Sequence, residues 1–269
     1  MNSMQTVKAY HADAVMQYDD NAIIEHIAQH GFATDSRFLL KTESYVLSCA
    51  YANNKMLSLS NSRTRILPHQ IESTYTVVNA LHKRFLIADE VGLGKTIEAG
   101  LIIKELFYRF NYERILIVCP ASLLYQWQYE LKSKFNEDFI IADSRVYRSE
   151  KGNPWKLNKL LCSIDFIKNK HFAGKLSQTY WDTVVIDEAH RLRRDANSQT
   201  KSYQVAEILA KNSKALLLLS ATPFRGKLEE LYYLLSLLDK NLLGPIHSFQ
   251  ETYCVPEADL TLLRDTISK

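Results

Sequence analysis

The most informative stretch of the sequence is a glycine-rich segment, Asp89-Glu-Val-Gly-Leu-Gly-Lys-Thr96, which follows a short apolar stretch. Its glycines, Gly92 and Gly94, would let backbone N–H groups approach an anion closely, and a helix that starts directly afterwards would add its own free N–H groups. Lys95 is placed to reach the β- and γ-phosphates of a nucleotide, and the Thr96 hydroxyl is a ligand for Mg²⁺. The segment therefore predicts a phosphate cradle, with an ordinary glycine-rich turn as the alternative.

Two adjacent carboxylates form a second chemical signal. The apolar stretch Val184-Val-Ile186 ends in Asp187 and Glu188, which are followed by Ala189 and His190. An aspartate at the tip of a strand beside a phosphate cradle can hold Mg²⁺ through water, and the next carboxylate can polarise an attacking water. On their own, the two residues are typical of a solvated helix start. Together with the glycine-rich segment, they predict hydrolysis of a nucleoside triphosphate that is bound with Mg²⁺.

Small hydroxyl residues follow a further apolar stretch. Ser220, Ala221 and Thr222 come directly after Ala215-Leu-Leu-Leu-Leu219. If both stretches are strands of one sheet, these hydroxyls can bond His190 and so link the hydrolysis site to movement elsewhere. A capped turn between a strand and a helix is the alternative, because Ser and Thr are common in such turns.

A single glutamine, Gln70, precedes the glycine-rich segment on a stretch that is predicted to be helical. A glutamine side chain can make a pair of hydrogen bonds with N6 and N7 of adenine. One glutamine carries no weight by itself. At 25 residues before Lys95, it fits a role in selecting adenine, and hence ATP, as the nucleotide.

Hydrophobic periodicity indicates the elements that must position these residues. From Ile66 onward, apolar strands alternate with amphipathic helices, a pattern typical of an α/β fold with a mostly parallel sheet flanked by helices. Strands are predicted at residues 85–88, 115–119, 139–141, 183–186 and 215–219. One helix is predicted to begin at Pro68, and a second to run from the glycine-rich segment to about Phe110. Two more helices are predicted over residues 122–135 and 228–238. The carboxyl ends of such strands share one edge, where open α/β sheets bind ligands. We therefore expect the three motifs to meet at that edge.

The first of these helices is predicted to be amphipathic. Its apolar residues recur at helical spacing and place Ile71, Tyr75, Val78 and either Leu81 or His82 on one face. We expect this face to be buried against the sheet.

The composition is that of an ordinary globular protein. Of the 269 residues, 46% are hydrophobic and 23% are charged, which argues against disorder, a collagen and a coiled-coil rod. A formal net charge of +3 does not by itself identify a nucleic-acid binder. The four cysteines have no C-x-x-C spacing and do not predict a zinc site. Because no apolar run approaches the ~18 residues that cross a bilayer, we expect a cytoplasmic protein without a membrane partner.

Residues 1–62 are predicted to form an accessory region. A helix is expected to begin near Asn21 and to end at Gly31. Residues 44–51 and 55–60 flank Asn53-Asn54 in a pattern that favours a β-hairpin. The residue types of this region indicate no chemistry, and a protein partner is one hypothesis for what it binds.

Taken together, these motifs resemble those of helicase superfamily 2. Its motifs Q, I, Ia, II and III correspond in order to Gln70, residues 89–96, Pro120 to Leu123 with Gln126, Trp127 and Glu130, residues 187–190 and residues 220–223. Within the superfamily, residues 89–100 are similar to the Swi/Snf-type ATPases, especially the bacterial ones, in which an aspartate stands at the position of Asp89. The resemblance covers residues 63–240 and implies a RecA-like ATP-binding lobe, which we place at residues 63–245.

The resemblance also implies ATP hydrolysis coupled to tracking along double-stranded DNA, with Glu188 as the catalytic base. Its implied residues are Gln70, Gly92, Leu93, Gly94, Lys95 and Thr96 for ATP; Thr96 and Asp187 for Mg²⁺; Lys95, Asp187, Glu188 and His190 for catalysis; and Pro120, Ala121, Ser122, Ser163, Ser220, Ala221 and Thr222 for DNA contact or its coupling to ATP. One departure follows motif III, where Phe224-Arg-Gly-Lys227 replaces the Gln- and Asn-rich sequence that is common in the family.

The chain is short for such an enzyme. Members of the superfamily place ATP between two RecA-like lobes, and the second lobe supplies an arginine finger, which in P-loop ATPases raises the rate by about 10³-fold or more. Because 30 residues follow Asp239, residues 246–269 are expected to begin a linker or a following region. The second lobe is expected either in cis, in a longer protein that is cut here after its first lobe, or in trans, from a partner that completes a naturally short protein.

Two other functions fit the same residues. One is a non-catalytic module that binds a nucleotide or another protein, and the other is the ATP-binding lobe of an RNA helicase. The sequence Asp89-Glu-Val-Gly92 argues against the RNA helicase alternative. Stimulation of ATP hydrolysis by duplex DNA or by RNA would separate the possibilities.

Overall fold

The computed structural model describes residues 56–60, 62–90, 92–143, 146, 154–169, 174, 176, 178–195, 198–223, 227–255, 258 and 260–267. The chain divides into two compact units, Met1–Ser60 and Asn61–Lys269. The helix predicted between Asn21 and Gly31 and the first strand of the predicted hairpin lie outside the described residues.

The prediction of a second hairpin strand at residues 55–60 is wrong, because the structure has a short helix, α1 (Leu57–Ser60), at this position. Met56 and Leu59 are buried and Leu57 is exposed. The Leu59 N–H donates to the Met56 carbonyl at 3.3 Å. Burial of two residues three positions apart is the spacing of a helical turn, which the alternation of Leu and Ser in so short a segment conceals.

The second unit is built on a six-stranded sheet with the order β1-β6-β5-β2-β4-β3, in which every neighbouring pair is parallel. The strands are β1 (Arg84–Ile87), β2 (Ile115–Cys119), β3 (Ile140–Ala142), β4 (Lys159–Ser163), β5 (Trp181–Ile186) and β6 (Ser213–Leu219). This arrangement confirms the predicted α/β fold with a parallel sheet.

Helices flank the sheet. Those described in this unit are α2 (Pro68–Asn79), α3 (Lys95–Phe110), α4 (Leu124–Phe135), α5 (Ile164–Ile167), α6 (Lys201–Lys211), α7 (Leu228–Leu238), α8 (Ile246–Tyr253) and α9 (Leu260–Ile267), with 3₁₀ turns at Ala121–Leu123, Pro154–Lys156 and Ala189–Arg191. Among the described residues, none of the helices combines the length and the apolar character needed to cross a membrane.

The core lies along the central strands. All five residues of β2 are buried, and β5 and β6 are buried at nearly every position. Continuous runs of Ile, Leu and Val suit strands that are covered on both faces, which is why these three strands were visible in the sequence. The sequence did not predict β4, which lies between β2 and β3 and has only three consecutive apolar residues, Leu160 to Cys162.

The buried face of α2 differs from the prediction. The structure buries Gln70, Thr74, Val77 and Val78 and leaves Tyr75 exposed. Leu81, which lies beyond the end of the helix, is exposed as well. The polar residues can face inward because their hydrogen bonds are satisfied there, as when the Thr74 hydroxyl donates to the Gln70 carbonyl at 2.6 Å.

The register of the sheet brings the carboxyl ends of the strands to one edge. Ile87 pairs with Leu219 and Ile186 pairs with Leu218. The Asp187 N–H, one residue after β5, still donates to the Val118 carbonyl at 2.8 Å. The residues that follow β1, β5 and β6 therefore emerge side by side, as the sequence predicts.

Candidate active site

The glycine-rich loop joins β1 to α3. Gly92 and Gly94 both have a φ of +90°, in the left-handed region that favours glycine. Gly94 caps α3, and its carbonyl accepts from the Ile97 N–H at 2.7 Å, which leaves the N–H groups of Lys95 and Thr96 at the open helix end. A Cβ atom at Gly92 would have no described atom within 4 Å, so the backbone there is open to a ligand. An open backbone at a helix N-terminus is suited to an anion.

Lys95 and Thr96 are the first two residues of α3, and both are partly exposed. The Lys95 ammonium donates to the carbonyls of Asp89 and Glu90 at 2.9 and 3.1 Å. It therefore lies over the start of the glycine-rich loop and brings a positive charge to it.

Gln70 fastens α2 to the loop. Its side chain is 2% exposed, with Oε1 accepting from the Leu67 N–H at 3.0 Å and Nε2 donating to the Leu93 carbonyl at 2.8 Å. A Cβ atom at Gly94 would lie only 2.5 Å from Gln70 Nε2. The Gln70 side-chain amide, which is predicted to bind adenine, binds backbone groups in this conformation. It thereby holds the glycine loop in place.

The acidic pair lies directly after β5. The Asp187 carboxylate accepts from the Glu188 N–H at 2.8 Å and from the Trp127 indole N–H at 2.9 Å. Burial raises the pKa of Asp187 against the lowering effect of these donors and of the Lys95 charge. Glu188 has a φ of +52°, which is uncommon for a residue with a side chain and is found often at functional sites.

His190 connects the acidic pair to the end of β6. Its Nδ1 lies 3.1 Å from Glu188 Oε2 and 3.3 Å from the Ser220 hydroxyl. Ser220 is fully buried, and its N–H donates to the Ile87 carbonyl at the end of β1. One ring nitrogen of His190 therefore contacts both the Glu188 carboxylate and the Ser220 hydroxyl. Ala221 and Thr222 continue from Ser220 toward the surface.

Trp127, on α4, is the site residue whose role sequence reasoning missed. A tryptophan on an amphipathic helix usually packs in the core, and the Trp127 side chain is 2% exposed. Its N–H, however, binds the carboxylate of Asp187. A buried tryptophan needs a partner for its N–H, and this requirement was the available signal.

The residues assigned to DNA contact lie at the same edge with different exposure. Ala121 and Ser122 are exposed in the turn after β2, whereas Pro120 is buried. The Ser163 hydroxyl ends β4 and caps α5 by accepting from the Phe166 N–H at 3.1 Å. Ser163 is accordingly buried and tied to its own helix.

Glu98 is a further buried carboxyl close to the loop, and sequence reasoning gave it no role. It is fully buried in the first turn of α3. Burial, together with the neighbouring Asp89 carboxyl, raises the pKa of Glu98 to about 8.

A cavity of about 780 Å³ lies at the opposite edge of the sheet, beside the starts of β1 and β6. Both arginines that line it already have partners: Arg84 donates to the Ala210 carbonyl at 3.1 Å, and Arg194 pairs with Glu207 at 3.0 Å. Lys211 and Lys240 line it as well, but no described glycine does, so the cavity has no open glycine backbone of the kind that a triphosphate needs.

The donors at the carboxyl edge fit Mg²⁺ and a triphosphate. Open amides and an ammonium suit phosphate oxygens, while a hydroxyl and a carboxylate are the oxygen ligands that Mg²⁺ prefers. A parallel sheet with a glycine loop after β1 and an Asp-Glu pair after β5 defines a RecA-like P-loop NTPase lobe.

Comparisons with known proteins place this lobe in a family. A model of the SNF2-related domain matches residues 45–266, and the chain belongs to this family. It is 39% identical to the RNA polymerase-associated protein RapA of Sodalis glossinidius over 198 residues, which is 72% of this chain and 20% of that protein. It is 37% identical to RapA of Erwinia tasmaniensis over 212 residues, 76% of this chain and 22% of that protein. The chain thus spans about a fifth of the length of the curated relatives it matches.

Solved structures agree on the fold. The SWI2/SNF2 ATPase core of Sulfolobus solfataricus, solved in complex with double-stranded DNA, matches with a TM-score of 0.65 and 24% identity over 77% of this chain and 44% of that one. A second structure of that core domain matches with a TM-score of 0.62 and 23% identity over 77% of this chain and 42% of the other. The resemblance to Swi/Snf-type ATPases is confirmed, and the chain corresponds to their RecA-like lobe.

Proposed function

We propose that this chain is the ATP-binding lobe of a DNA-dependent ATPase that moves along double-stranded DNA, with ATP hydrolysed to ADP and phosphate when a second lobe completes the site. The observation that carries the proposal is the placement of the Asp187-Glu188 pair and the glycine loop at one edge. Strands β5 and β1 are separated by one strand, β6, which is a distance of about 10 Å. A phosphate group with its Mg²⁺ spans such a gap.

Each residue at this edge has a task in the proposed reaction. Lys95 would leave the loop carbonyls to neutralise the β- and γ-phosphates. Thr96 and Asp187 would hold Mg²⁺, which supplies charge neutralisation to the triphosphate when bound. Glu188, the more exposed carboxylate, would orient the attacking water and accept its proton.

The contacts that link Glu188, His190 and Ser220 would couple the binding and hydrolysis of ATP to the contacts with DNA. A change at Glu188 alters the partner of His190 and hence of Ser220, which continues into Ala221 and Thr222. Ala121 and Ser122 are the exposed residues that would touch the DNA backbone, with Pro120 and Ser163 supporting them from the strand ends. Gln70 would reach adenine only by exchanging its bonds to Leu67 and Leu93.

The partners follow from the family. A second RecA-like lobe, in cis or in trans, would supply the arginine finger to a site formed by residues 63–245, with residues 246–269 leading onward. Residues 1–62 would form the accessory region that binds a protein partner. RNA polymerase is the first candidate for that partner, because the relatives are named for their association with it.

The proposal is tested by supplying the second lobe, in cis or in trans, and measuring ATP hydrolysis with and without nucleic acid. We expect hydrolysis that is stimulated by duplex DNA and abolished by Glu188→Gln, while the isolated chain binds ATP with little turnover. Stimulation by RNA alone would favour an RNA helicase. ATP binding without hydrolysis in the completed protein would favour a non-catalytic module, and either result would overturn the proposal.

A further inference from the structure

Three potential metal ligands, which the proposed reaction does not use, lie together behind the glycine loop. A ring nitrogen of His69 and carboxyl oxygens of Asp89 and Glu98 lie within 4.8 Å of one another. His69 is in the first turn of α2, Asp89 is in the loop after β1, and Glu98 is in the first turn of α3. The three elements that build the phosphate cradle therefore meet at this cluster.

Glu98 is the residue of the cluster that most needs a partner. Its side chain is fully buried, and among the described residues neither carboxyl oxygen has a hydrogen-bond donor. The nearby Ser73 hydroxyl donates its proton to the His69 carbonyl at 2.9 Å. Asp89 Oδ2 is likewise buried without a donor among the described residues. Two buried carboxyl groups side by side are strongly unfavourable unless a cation or proton lies between them.

Lys95 does not supply that cation. Its ammonium is bonded to the backbone carbonyls of Asp89 and Glu90, and in the proposed reaction it is drawn to the phosphates. Without a metal ion, a proton on Glu98 separates the two carboxyl groups, and a divalent cation that binds there would displace this proton.

We propose that His69, Asp89 and Glu98 bind a divalent transition metal ion, for which Zn²⁺ is the best match. One imidazole and two carboxylates are a donor set typical of Zn²⁺, whereas Mg²⁺ and Ca²⁺ prefer oxygen donors. Zinc bonds of about 2.0–2.2 Å place tetrahedral ligands roughly 3.4 Å apart, so rotation of the side chains can close the present spacing. The ion is distinct from the Mg²⁺ that accompanies ATP.

The surroundings of His69 support this assignment. Its Nε2 lies 3.1 Å from the Leu93 carbonyl. Metal-bound imidazoles usually donate their other ring N–H to a carbonyl or carboxylate, which fixes the ring. Ligation through Nδ1 would preserve the bond to Leu93, and the ion would then tie α2 to the start of α3 and hold the loop between them.

Zinc titration of the complete 269-residue chain, freed of metal and nucleotide, tests the site. Equilibrium dialysis with elemental analysis would compare the wild type with His69→Gln, Glu98→Gln and a control, His82→Gln, which changes an exposed histidine outside the cluster. We expect one equivalent of Zn²⁺ in the wild type and in the control, and at least about 10-fold weaker binding in both cluster variants. Absence of this equivalent, or equal binding in all four proteins, overturns the proposal.

Two further measurements remove ambiguity. Circular dichroism without metal checks that each variant folds, and Asp89→Asn replaces any variant that does not. Zn²⁺ should raise the midpoint of thermal unfolding of the wild type and leave those of the cluster variants unchanged, since only a native-state site stabilises the fold. Lys95→Ala should keep the zinc equivalent while losing ATP, so a failure of the metal site can be told from a failure of the proposed function.

Discussion

Strand β5 carries an aspartate near each end, and the two carboxylates have opposite surroundings. Asp182, at the amino end, accepts from the N–H groups of Glu113 and Arg114 at 3.0 and 2.9 Å and pairs with the Lys214 ammonium at 2.7 Å. Burial by itself would raise the pKa of Asp182, but the Lys214 ammonium and the backbone donors outweigh it and lower the pKa. This carboxylate stabilises the fold by joining β2, β5 and β6.

Asp187, at the other end of β5, has two N–H donors and no ion-pair partner in the described part of the chain. It is followed by Glu188 in a left-handed conformation and lies across β6 from a loop with two left-handed glycines. One edge of the sheet is thus built for stability, whereas the other keeps strained backbone and poorly neutralised carboxylates. Such features are retained where a ligand supplies the missing charge.

The largest effect is expected at the glycine loop. Gly94→Ala forces a left-handed alanine, which costs about 1–2 kcal/mol, and drives its Cβ against Gln70, so that the bond from Gln70 to Leu93 is lost as well. We expect the free energy of unfolding in urea to fall by about 3 kcal/mol. Gly92 has the same φ as Gly94 but open space around it. Gly92→Ala should therefore lower the free energy of unfolding only by the cost of the left-handed conformation, about 1–2 kcal/mol. Equal losses would show that Gln70 does not fasten the loop.

A smaller effect is expected from the two buried tryptophans beside these aspartates. Trp127→Phe removes the N–H bond that orients the Asp187 carboxylate, and loss of such an orienting partner typically weakens metal binding about 10–100-fold. We therefore expect the affinity for ATP with Mg²⁺ to fall about 10-fold or more.

Trp181→Phe is the matched control for that substitution. Trp181 is equally buried and stands next to Asp182, but its indole N–H has no hydrogen-bond partner among the described residues. Its replacement should change stability without changing ATP affinity, as titration of both variants with a fluorescent ATP analogue would show. Equal losses of affinity would mean that Trp127 acts only through packing.

The smallest effect concerns Asp182. Asp182→Asn removes the ion pair with the half-exposed Lys214, and we expect a loss of about 1 kcal/mol in the free energy of unfolding at neutral pH. Because the folded-state pKa of Asp182 is lowered, its contribution is complete above the unfolded pKa of about 3.9 and is lost as the pH falls through the folded value. Urea unfolding at pH 7 and pH 3 should show the gap from wild type closing at the lower pH. A gap that is independent of pH would contradict the assigned role.

Much of the fold could be predicted from local pattern. Strand β2 and helix α7 have the bounds that the sequence indicates, because an unbroken run of branched apolar residues and a strong helical periodicity leave little choice. The meeting of the motifs at one edge followed from the rule that parallel strands share their carboxyl end.

The remainder depends on contacts that no local pattern contains. Strand β4 has three apolar residues, too few to separate a strand from a helix. The inward face of α2 is set by Gln70, whose burial is favourable because its amide bonds both Leu67 and Leu93, the latter in a distant loop. Trp127 and Asp187 are 60 residues apart, so their hydrogen bond emerges only once α4 packs against β3 and β4 and brings Trp127 to the residue that follows β5.

The most direct test of the central claim compares the same substitution at the two ends of β5. ATP would be titrated into the wild type, Asp187→Asn and Asp182→Asn, each with and without Mg²⁺. The account predicts that Mg²⁺ strengthens ATP binding in the wild type and in Asp182→Asn, and that Asp187→Asn loses most of this gain. A full Mg²⁺ effect in Asp187→Asn, or an equal loss in Asp182→Asn, would contradict it.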